Sequence, residues 1–317
     1  MSVRQIFFSA MSVSVVFFVV VMVWDVVSEH KGKQQLVYKP SQKTNNEAPH
    51  ARFIPLKYYY KHLRYIEGKL NGKDCKLLFT TGGGETILTP GLFAEHYGAD
   101  TIGGIRLGKE SLSFSKKYDL KLEVEGLVLE HEYALVKDVM NSLPEGFPKI
   151  DGIVSMKAFG EHALTVDLRS RRLIVEDEKS MDKLADGLVP LELRYLKAAN
   201  EVGMSLLASL ETAEGQMWFE LDNGRKRNVL NFQKSLQVLE NSEYFEKLED
   251  KSKYTVSEID VLGLCARPAS LAVKIEYQTI GDGVLGAHFF RDFMLTFDIK
   301  KGRLYCRPHV LSEFCNS

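Results

Sequence analysis

Cysteine is scarce in this chain. Cys75, Cys265, Cys306 and Cys315 are the whole complement among 317 residues, too few to staple a chain of this length, which excludes the small disulfide scaffolds. Cys306 and Cys315 are near enough in sequence for one bridge in an exported chain, and unpaired thiols fit equally well. His309 falls between them, but no second Cys-x-x-Cys pair accompanies the group, as zinc spacings would require. No metal and no cofactor are expected. An excess of charge of either sign is also missing: 41 Lys and Arg stand against 42 Asp and Glu, with a formal net charge of -1. Lysines are spread out rather than clustered, so the footprint of a nucleic-acid binder is absent. The eight histidines form no i, i+4 pair, and His131-Glu132-Tyr133 lacks the second histidine of a zinc protease. Gly82-Gly83-Gly84 is not followed by the Lys-Ser/Thr of a phosphate loop.

Long hydrophobic runs are equally rare, with one exception. Ile6 to Trp24 carries no charge and only Ser9, Ser12 and Ser14 as weakly polar members. At about 1.5 Å per residue such a run spans a hydrocarbon core. It is longer than the apolar part of a signal peptide, although Val26-Val27-Ser28 is a passable cleavage site. An uncleaved signal-anchor is the favoured expectation: one N-terminal transmembrane helix, a single-pass membrane protein, and a body on the extracytoplasmic side. Arg4 lies on one side of the run and Lys31, Lys33 and Lys39 on the other, so positive charge alone does not orient it. Glu29 to about His50 is polar, contains Gly32, Pro40 and Asn45-Asn46, and reads as a flexible tether. The expected organisation is a membrane anchor or signal segment at 1–27, a linker at 28–52, and two lobes at 53–185 and 186–317.

An internal repeat organises the body. Asp151-Gly152-Ile153-Val154-Ser155 matches Asp282-Gly283-Val284-Leu285-Gly286 at an offset of 131 residues (282 − 151). Without a gap, Phe159 matches Phe290, Leu164-Thr165 matches Leu295-Thr296, Asp167 matches Asp298, and Arg172-Leu173 matches Arg303-Leu304. Upstream, Ile54-Pro55-Leu56 resembles Val189-Pro190-Leu191. Leu77-Leu78-Phe79-Thr80-Thr81-Gly82 resembles Phe219-Glu220-Leu221-Asp222-Asn223-Gly224, now at an offset of 142 (222 − 80). Order is kept while a loop insertion changes the spacing.

The body reads as mostly β: short strands rich in Val, Ile, Leu, Phe and Tyr, broken by Gly, Asn and Asp. Two helices are predicted. One opens at Thr89-Pro90 and runs through Phe93, Ala94 and Tyr97, with Pro90 suited to a first helical position. Its counterpart covers Asn231 to Leu239, with Phe232, Leu236 and Leu239 at helical spacing. Glu243 to Lys253 is charged and reads as a solvated loop or helix face.

Strand, acidic-Thr/Ser-Gly turn, short helix, further strands and then Asp-Gly-Ile-Leu-Gly is a combination that resembles the retropepsin-like and pepsin-like aspartic proteases. The resemblance covers most of residues 53–310 in two copies. It implies an all-β, two-lobed acid-protease fold with short helices. In that family each lobe contributes one aspartate, and one of the two carboxyls holds a proton because like charges so close cannot both ionise. The pair activates a water and protonates the substrate. The resemblance places the acid of the second lobe at Asp222, with Gly224 at the turn glycine and Asn223 in place of the usual Thr or Ser. In the first lobe Thr81 and Gly82 match, but Thr80 stands where the family has its aspartate. A threonine does not ionise in this role. Glu85 reads as a turn carboxylate in solvent, and Asp151 and Asp282 as turn and cap residues.

The resemblance therefore implies a peptide-binding cleft between lobes and an impaired catalyst, with Thr80, Thr81, Gly82, Asn223 and Gly224 forming the cleft turns and Asp222 as the one remaining acid. The expected partners are a peptide or protein segment in the cleft and a membrane through residues 6–24. The competing reading is an active aspartic endopeptidase that uses Asp222, alone or through a homodimer that brings two such lobes together. A third is a structural protein that kept the fold and lost the cleft.

Overall fold

The structure, a computed structural model, describes residues 51–93, 102–107, 110–142, 146–160, 162–197, 204–212, 215–239, 256–262, 264, 269–276 and 279–309. The Ile6–Trp24 run, the tether and the charged stretch at 243–253 lie outside them. Among the described residues no helix is long and apolar enough to cross a membrane. The chain divides into two compact units. Residues 1–162 and 196–204 make the first, and residues 163–195 and 205–317 the second.

Among the described residues the first unit holds nine strands: β1 (Arg52–Pro55), β2 (Lys57–Tyr60), β3 (Leu63–Leu70), β4 (Lys73–Thr80), β5 (Ile87–Leu88), β6 (Ile102–Leu107), β7 (Glu110–Val124), β8 (Leu127–Val136) and β9 (Gly152–Ser155). Eight of them form one sheet in the order β2-β3-β4-β9-β5-β8-β7-β6, and β3 also pairs with β7. Hairpins account for most neighbours. The exceptions are the parallel pairs β4–β9 and β5–β8 and the antiparallel pair β5–β9, which put the end of β4 inside the sheet. A central position demands apolar residues on both faces, and Leu77, Leu78 and Phe79 are all buried.

The second unit contains β10 (Leu164–Asp167), β11 (Arg172–Val175), helix α1 (Glu178–Gly187), β12 (Leu191–Lys197), β13 (Met204–Thr212), β14 (Gly215–Leu221), β15 (Asn228–Asn231), helix α2 (Phe232–Leu239), β16 (Val256–Leu262), β17 (Ala269–Glu276), β18 (Gly283–Leu285), helix α3 (Ala287–Asp292), β19 (Phe293–Asp298) and β20 (Arg303–Pro308). Its strands follow the order β11-β10-β19-β20-β12-β13-β14-β18-β15-β17-β16. Again a parallel pair, β14–β18, carries the turn-forming strand into the middle. Met217, Phe219 and Leu221 point into the core, with Phe289, Phe290 and Phe297 buried in the same unit.

The sequence repeat is a structural repeat, down to single hydrogen bonds. Asp151 Oδ2 accepts from the amide of Lys76 at 2.9 Å, and Asp282 Oδ2 from the amide of Trp218 at 2.8 Å. The amide of Thr89 donates to the carbonyl of Asp151, and that of Asn231 to the carbonyl of Asp282. Asp167 accepts from the Ser170 amide as Asp298 does from that of Lys301. Both aspartates of the Asp-Gly turns are thus occupied in joining strands. The glycines that follow them cannot be replaced cheaply: a Cβ on Gly152 would lie 2.4 Å from the Ile87 carbonyl oxygen, and one on Gly283 2.2 Å from that of Val229. Strands β10 and β19 pair with repeat-equivalent residues opposite, Thr165 facing Thr296 with their hydroxyls 2.6 Å apart.

Two expectations need correction. The helix predicted from Thr89 is a single 3-10 turn, Pro90–Leu92. Thr89 makes no side-chain cap, and Phe93 is already extended; the positions predicted to continue the helix lie outside the described residues. Helix α1 was not foreseen, because its strongly charged sequence lacks a clear apolar stripe. What starts it is local: Asp177 accepts from the Ser180 amide at 2.7 Å while the Ser180 hydroxyl accepts from the Asp177 amide at 3.0 Å, a reciprocal capping box. The helix predicted at Asn231–Leu239 is present as α2, with Asn231 Oδ1 accepting from the amide of Gln233 at its start.

Candidate functional site

The first turn begins where β4 ends. Thr80 and Thr81 are buried, at 6% and 1% exposure. The Thr80 hydroxyl accepts from the Gly82 amide at 3.1 Å and donates to the Gly82 carbonyl at 2.8 Å. Ser155, which pairs with Thr80 across the parallel β4–β9 register, donates its hydroxyl to the Gly84 carbonyl at 2.9 Å. Beyond the glycines the chain does not run into solvent. Glu85 is 7% exposed, ion-paired with Lys157, and accepts from the Tyr133 hydroxyl at 3.0 Å. The expectation of a solvated turn carboxylate is therefore wrong. The reason is tertiary: β8 and the 3-10 turn at Met156–Phe159 bring a phenol and an ammonium to a carboxylate that the local sequence leaves without partners. Nearby His131 is held neutral, its imidazole pushed down to about 4 by burial and by the charge of Lys157.

The second turn has the same construction with different chemistry. Asp222 is 5% exposed and its amide donates to the Leu285 carbonyl at 3.1 Å. Its Oδ1 accepts from the Gly224 amide at 2.8 Å. A Cβ on Gly224 would sit 2.9 Å from that oxygen, so glycine is required for the close approach. Asn223 is buried beside it. Gly224 donating to Asp222 and Gly82 donating to Thr80 are the same bond in the two copies. Thr80 thus keeps the hydrogen-bonding geometry of its counterpart while lacking a carboxyl.

One buried acid beside the second turn was missed by sequence reasoning. Glu220 lies on β14, two positions before Asp222, which follows the strand's last residue, and is 4% exposed. Its Oε1 accepts from the Ser205 hydroxyl of β13 at 2.7 Å. Burial, and then the charge of Asp222, push its carboxyl up to about 7, against smaller opposing effects from Ser205 and Arg225. Arg225 pairs with Glu276 of β17 at 2.7 Å, and Lys274 bonds the same carboxylate at 3.0 Å. The available signal was an acid inside an otherwise apolar strand, alternating with the core residues Met217, Phe219 and Leu221.

Among the described residues the cysteines offer no reactive thiol. Burial pushes Cys75 up to about 12, and Cys306, also buried, well above its ordinary value; Cys265 and Cys315 lie outside the described residues. Asp167 engages Arg172 at 3.1 Å and His309 at 3.4 Å. Burial would raise its carboxyl, but its bonds to Ser170 and its approach to His309 and Arg172 outweigh it and hold the group below the usual range. Among the described residues no group of three or more His, Cys, Asp or Glu could hold a metal ion.

No protein-family model matches the chain, and no curated protein matches it in sequence. Solved structures do. An aspartic proteinase from Irpex lacteus aligns with a TM-score of 0.50 at 12% identity, over 84% of this chain and 99% of the proteinase. Basic 7S globulin from soybean aligns at 0.49 and 11% identity over 81% of this chain and 94% of the globulin. Conglutin gamma, a basic 7S globulin from lupine seeds, aligns at 0.49 and 9% over 83% and 96%. At such identity the first of these shows the fold alone: the chain has an aspartic-protease-like β scaffold.

Proposed function

We propose that this chain is a membrane-anchored, aspartic-protease-like protein that binds an extended peptide in the cleft implied by its resemblance to that family, and that its hydrolytic power is impaired. The observation that carries this reading is Thr80. It stands at the repeat position of Asp222, receives the same glycine amide bond, and cannot ionise to share a proton with a partner acid. An extended peptide would gain affinity from main-chain hydrogen bonds and selectivity from side-chain contacts. The anchor rests on the uncharged run at Ile6–Trp24.

The test is a peptide-library screen on the full chain in mild detergent, read both for retention and for cleavage at acid pH, with Asp222→Asn alongside. Saturable retention of particular peptides without cleavage is expected. Strong cleavage by the wild type that Asp222→Asn abolishes would replace this reading with an active endopeptidase, and cross-linking would then show whether two chains assemble the site. Neither retention nor cleavage would leave a structural role.

A further inference from the structure

The near-neutral charge of the whole chain hides a local surplus. From residue 48 to residue 66 there is no Asp or Glu, while Arg52, Lys57, Lys61 and Arg64 fall within the stretch, interleaved with Tyr58, Tyr59, Tyr60 and Tyr65. The fold gathers the last seven of these into one hairpin, β2 and β3, with Lys61-His62 at its tip. Its register sets Tyr58 against Arg64 on one side and Lys57 against Tyr65 on the other. The base is fixed: Tyr59 is buried, and its hydroxyl donates to the Pro148 carbonyl at 2.7 Å. Toward the tip Tyr58 is 61% exposed and Lys61 is exposed. Lys61 adopts a left-handed backbone (φ 52°), where glycine is favoured, so the tip carries a cation at some conformational cost. Rings and cations meet on both sides of the hairpin. Arg64 lies 5.3 Å from the ring centre of Tyr58, Lys61 4.9 Å from that of Tyr60, and Lys76 of β4 6.0 Å from that of Tyr65. Tyr60 also packs on Phe147, with 4.5 Å between ring centres. Lys57 is ion-paired with Glu67, so the positive charge nearest the tip is that of Lys61 and Arg64.

We propose that this hairpin tip docks on the surface of an anionic bilayer, its tyrosine rings at the level of the lipid headgroups and Lys61 and Arg64 against their phosphates. The inference rests on the membrane-anchored reading in one respect: the run at Ile6–Trp24 puts a bilayer beside the hairpin. Only 27 residues (51 − 24) separate that run from Arg52, so β1 and this hairpin are the first elements to follow the membrane. From residue 30 to residue 51 the intervening sequence has Lys31, Lys33, Lys39 and Lys43 against Glu47 alone, which continues the positive charge up to the run. Tyrosine settles where one end of the ring is apolar and the other wet. Each Lys or Arg near an anionic surface strengthens attachment, and the attraction fades within a Debye length. A hairpin held close by its own chain therefore gains from contacts too weak to recruit it from solution. Nucleic acid fits the tip less well, because two cations neutralise few phosphates. Docking would fix how the first unit stands on the membrane.

The test reconstitutes the full chain into vesicles of phosphatidylcholine, alone or mixed with phosphatidylglycerol. A benzophenone-bearing phenylalanine is substituted at Tyr58 or, as a control, at Tyr118. Tyr118 is 51% exposed on β7, and the pairing of β7 with Lys69 and Leu70 puts it at the end of β3 away from the tip. After irradiation, lipid adducts are counted by mass spectrometry. At Tyr58 they are expected at least about tenfold more often in the anionic vesicles than in the neutral ones, and the difference should collapse at about 1 M salt. Lys61→Glu should lose most of it, as should Lys61→Gln combined with Arg64→Gln, with circular dichroism checking that both variants fold. Adducts at Tyr58 no more frequent than at Tyr118, or equally frequent in both vesicles, overturn the proposal. So does an undiminished yield in folded Lys61→Glu, or capture of added RNA or of a second copy of the chain in preference to lipid. An alkaline carbonate wash separates docking from the anchor. A chain that carbonate strips from the vesicles, but whose Tyr58 adducts follow lipid charge, upholds docking and removes the anchor. A chain that resists carbonate and shows no lipid preference at Tyr58 keeps the anchor and ends the docking proposal.

Discussion

At Thr80 the difference from a working acid is ionisation rather than hydrogen bonding. The Gly82 amide already points at the Thr80 oxygen as the Gly224 amide points at Asp222. Thr80→Asp should therefore create acid-optimum proteolysis, at least about tenfold over the wild type, with a bell-shaped rate profile if two carboxyls titrate together. Asp222→Asn added to it should abolish the gain. A folded but silent Thr80→Asp protein would mean that the site has drifted beyond the family's chemistry. Glu220 allows a stability prediction. Burial and the charge of Asp222 push its folded carboxyl up to about 7, so the native state holds a proton that the unfolded chain gives up. Stability from this source is fully present below the unfolded value and lost as pH rises through the folded one. A shift of that size corresponds to about 3 kcal/mol. Thermal unfolding of the wild type should fall in midpoint between about pH 5 and about pH 8, and Glu220→Gln should flatten that decline.

At the scale of elements, each Asp-Gly turn joins three strands at once. The aspartate oxygen takes an amide from the strand before the Thr80 or Asp222 turn, and the following glycine lets another strand pass close. Asp151→Ala and Asp282→Ala should each cost about 1–2 kcal/mol, read as a lower urea midpoint with an unchanged slope. The second should cost more, because its bond to Trp218 is less exposed and Lys234 lies 3.8 Å from its carboxylate. If Asp282→Ala instead altered the titration near neutrality and left stability untouched, the aspartate would belong to the acid chemistry rather than to the turn. The Glu85–Lys157–Tyr133 group shows the same division of labour: a loop carboxylate fixed by residues from two other elements.

For the whole molecule, residues 53–317 expressed without the N-terminal run should be soluble and mainly β. The described strands and short helices set the expected circular dichroism, and the remaining chain has no second apolar run of spanning length. Partition of this body into detergent, or a mostly helical spectrum, would contradict that. Much of the fold was legible beforehand. Alternating apolar runs, paired Asp-Gly turns and a repeated order of landmarks required two related β units and put Thr80 and Asp222 at equivalent turns. Helix boundaries were less so, since one 3-10 turn at Pro90–Leu92 and the capping box at Asp177 depend on backbone bonds that composition does not display.

The sequence by itself determined the repeat, the loss of a carboxyl at Thr80 and its retention at Asp222, because these are matters of residue identity and order. Only the tertiary structure decided what surrounds each acid. Glu85 gained an ammonium and a phenol from distant segments and became a buried ion pair. Glu220 was buried and placed near the charge of Asp222, so its carboxyl was pushed up in spite of the Ser205 hydroxyl. A carboxyl's charge state is set by solvent access and by neighbouring charges, and strand pairing, not local sequence, supplies both.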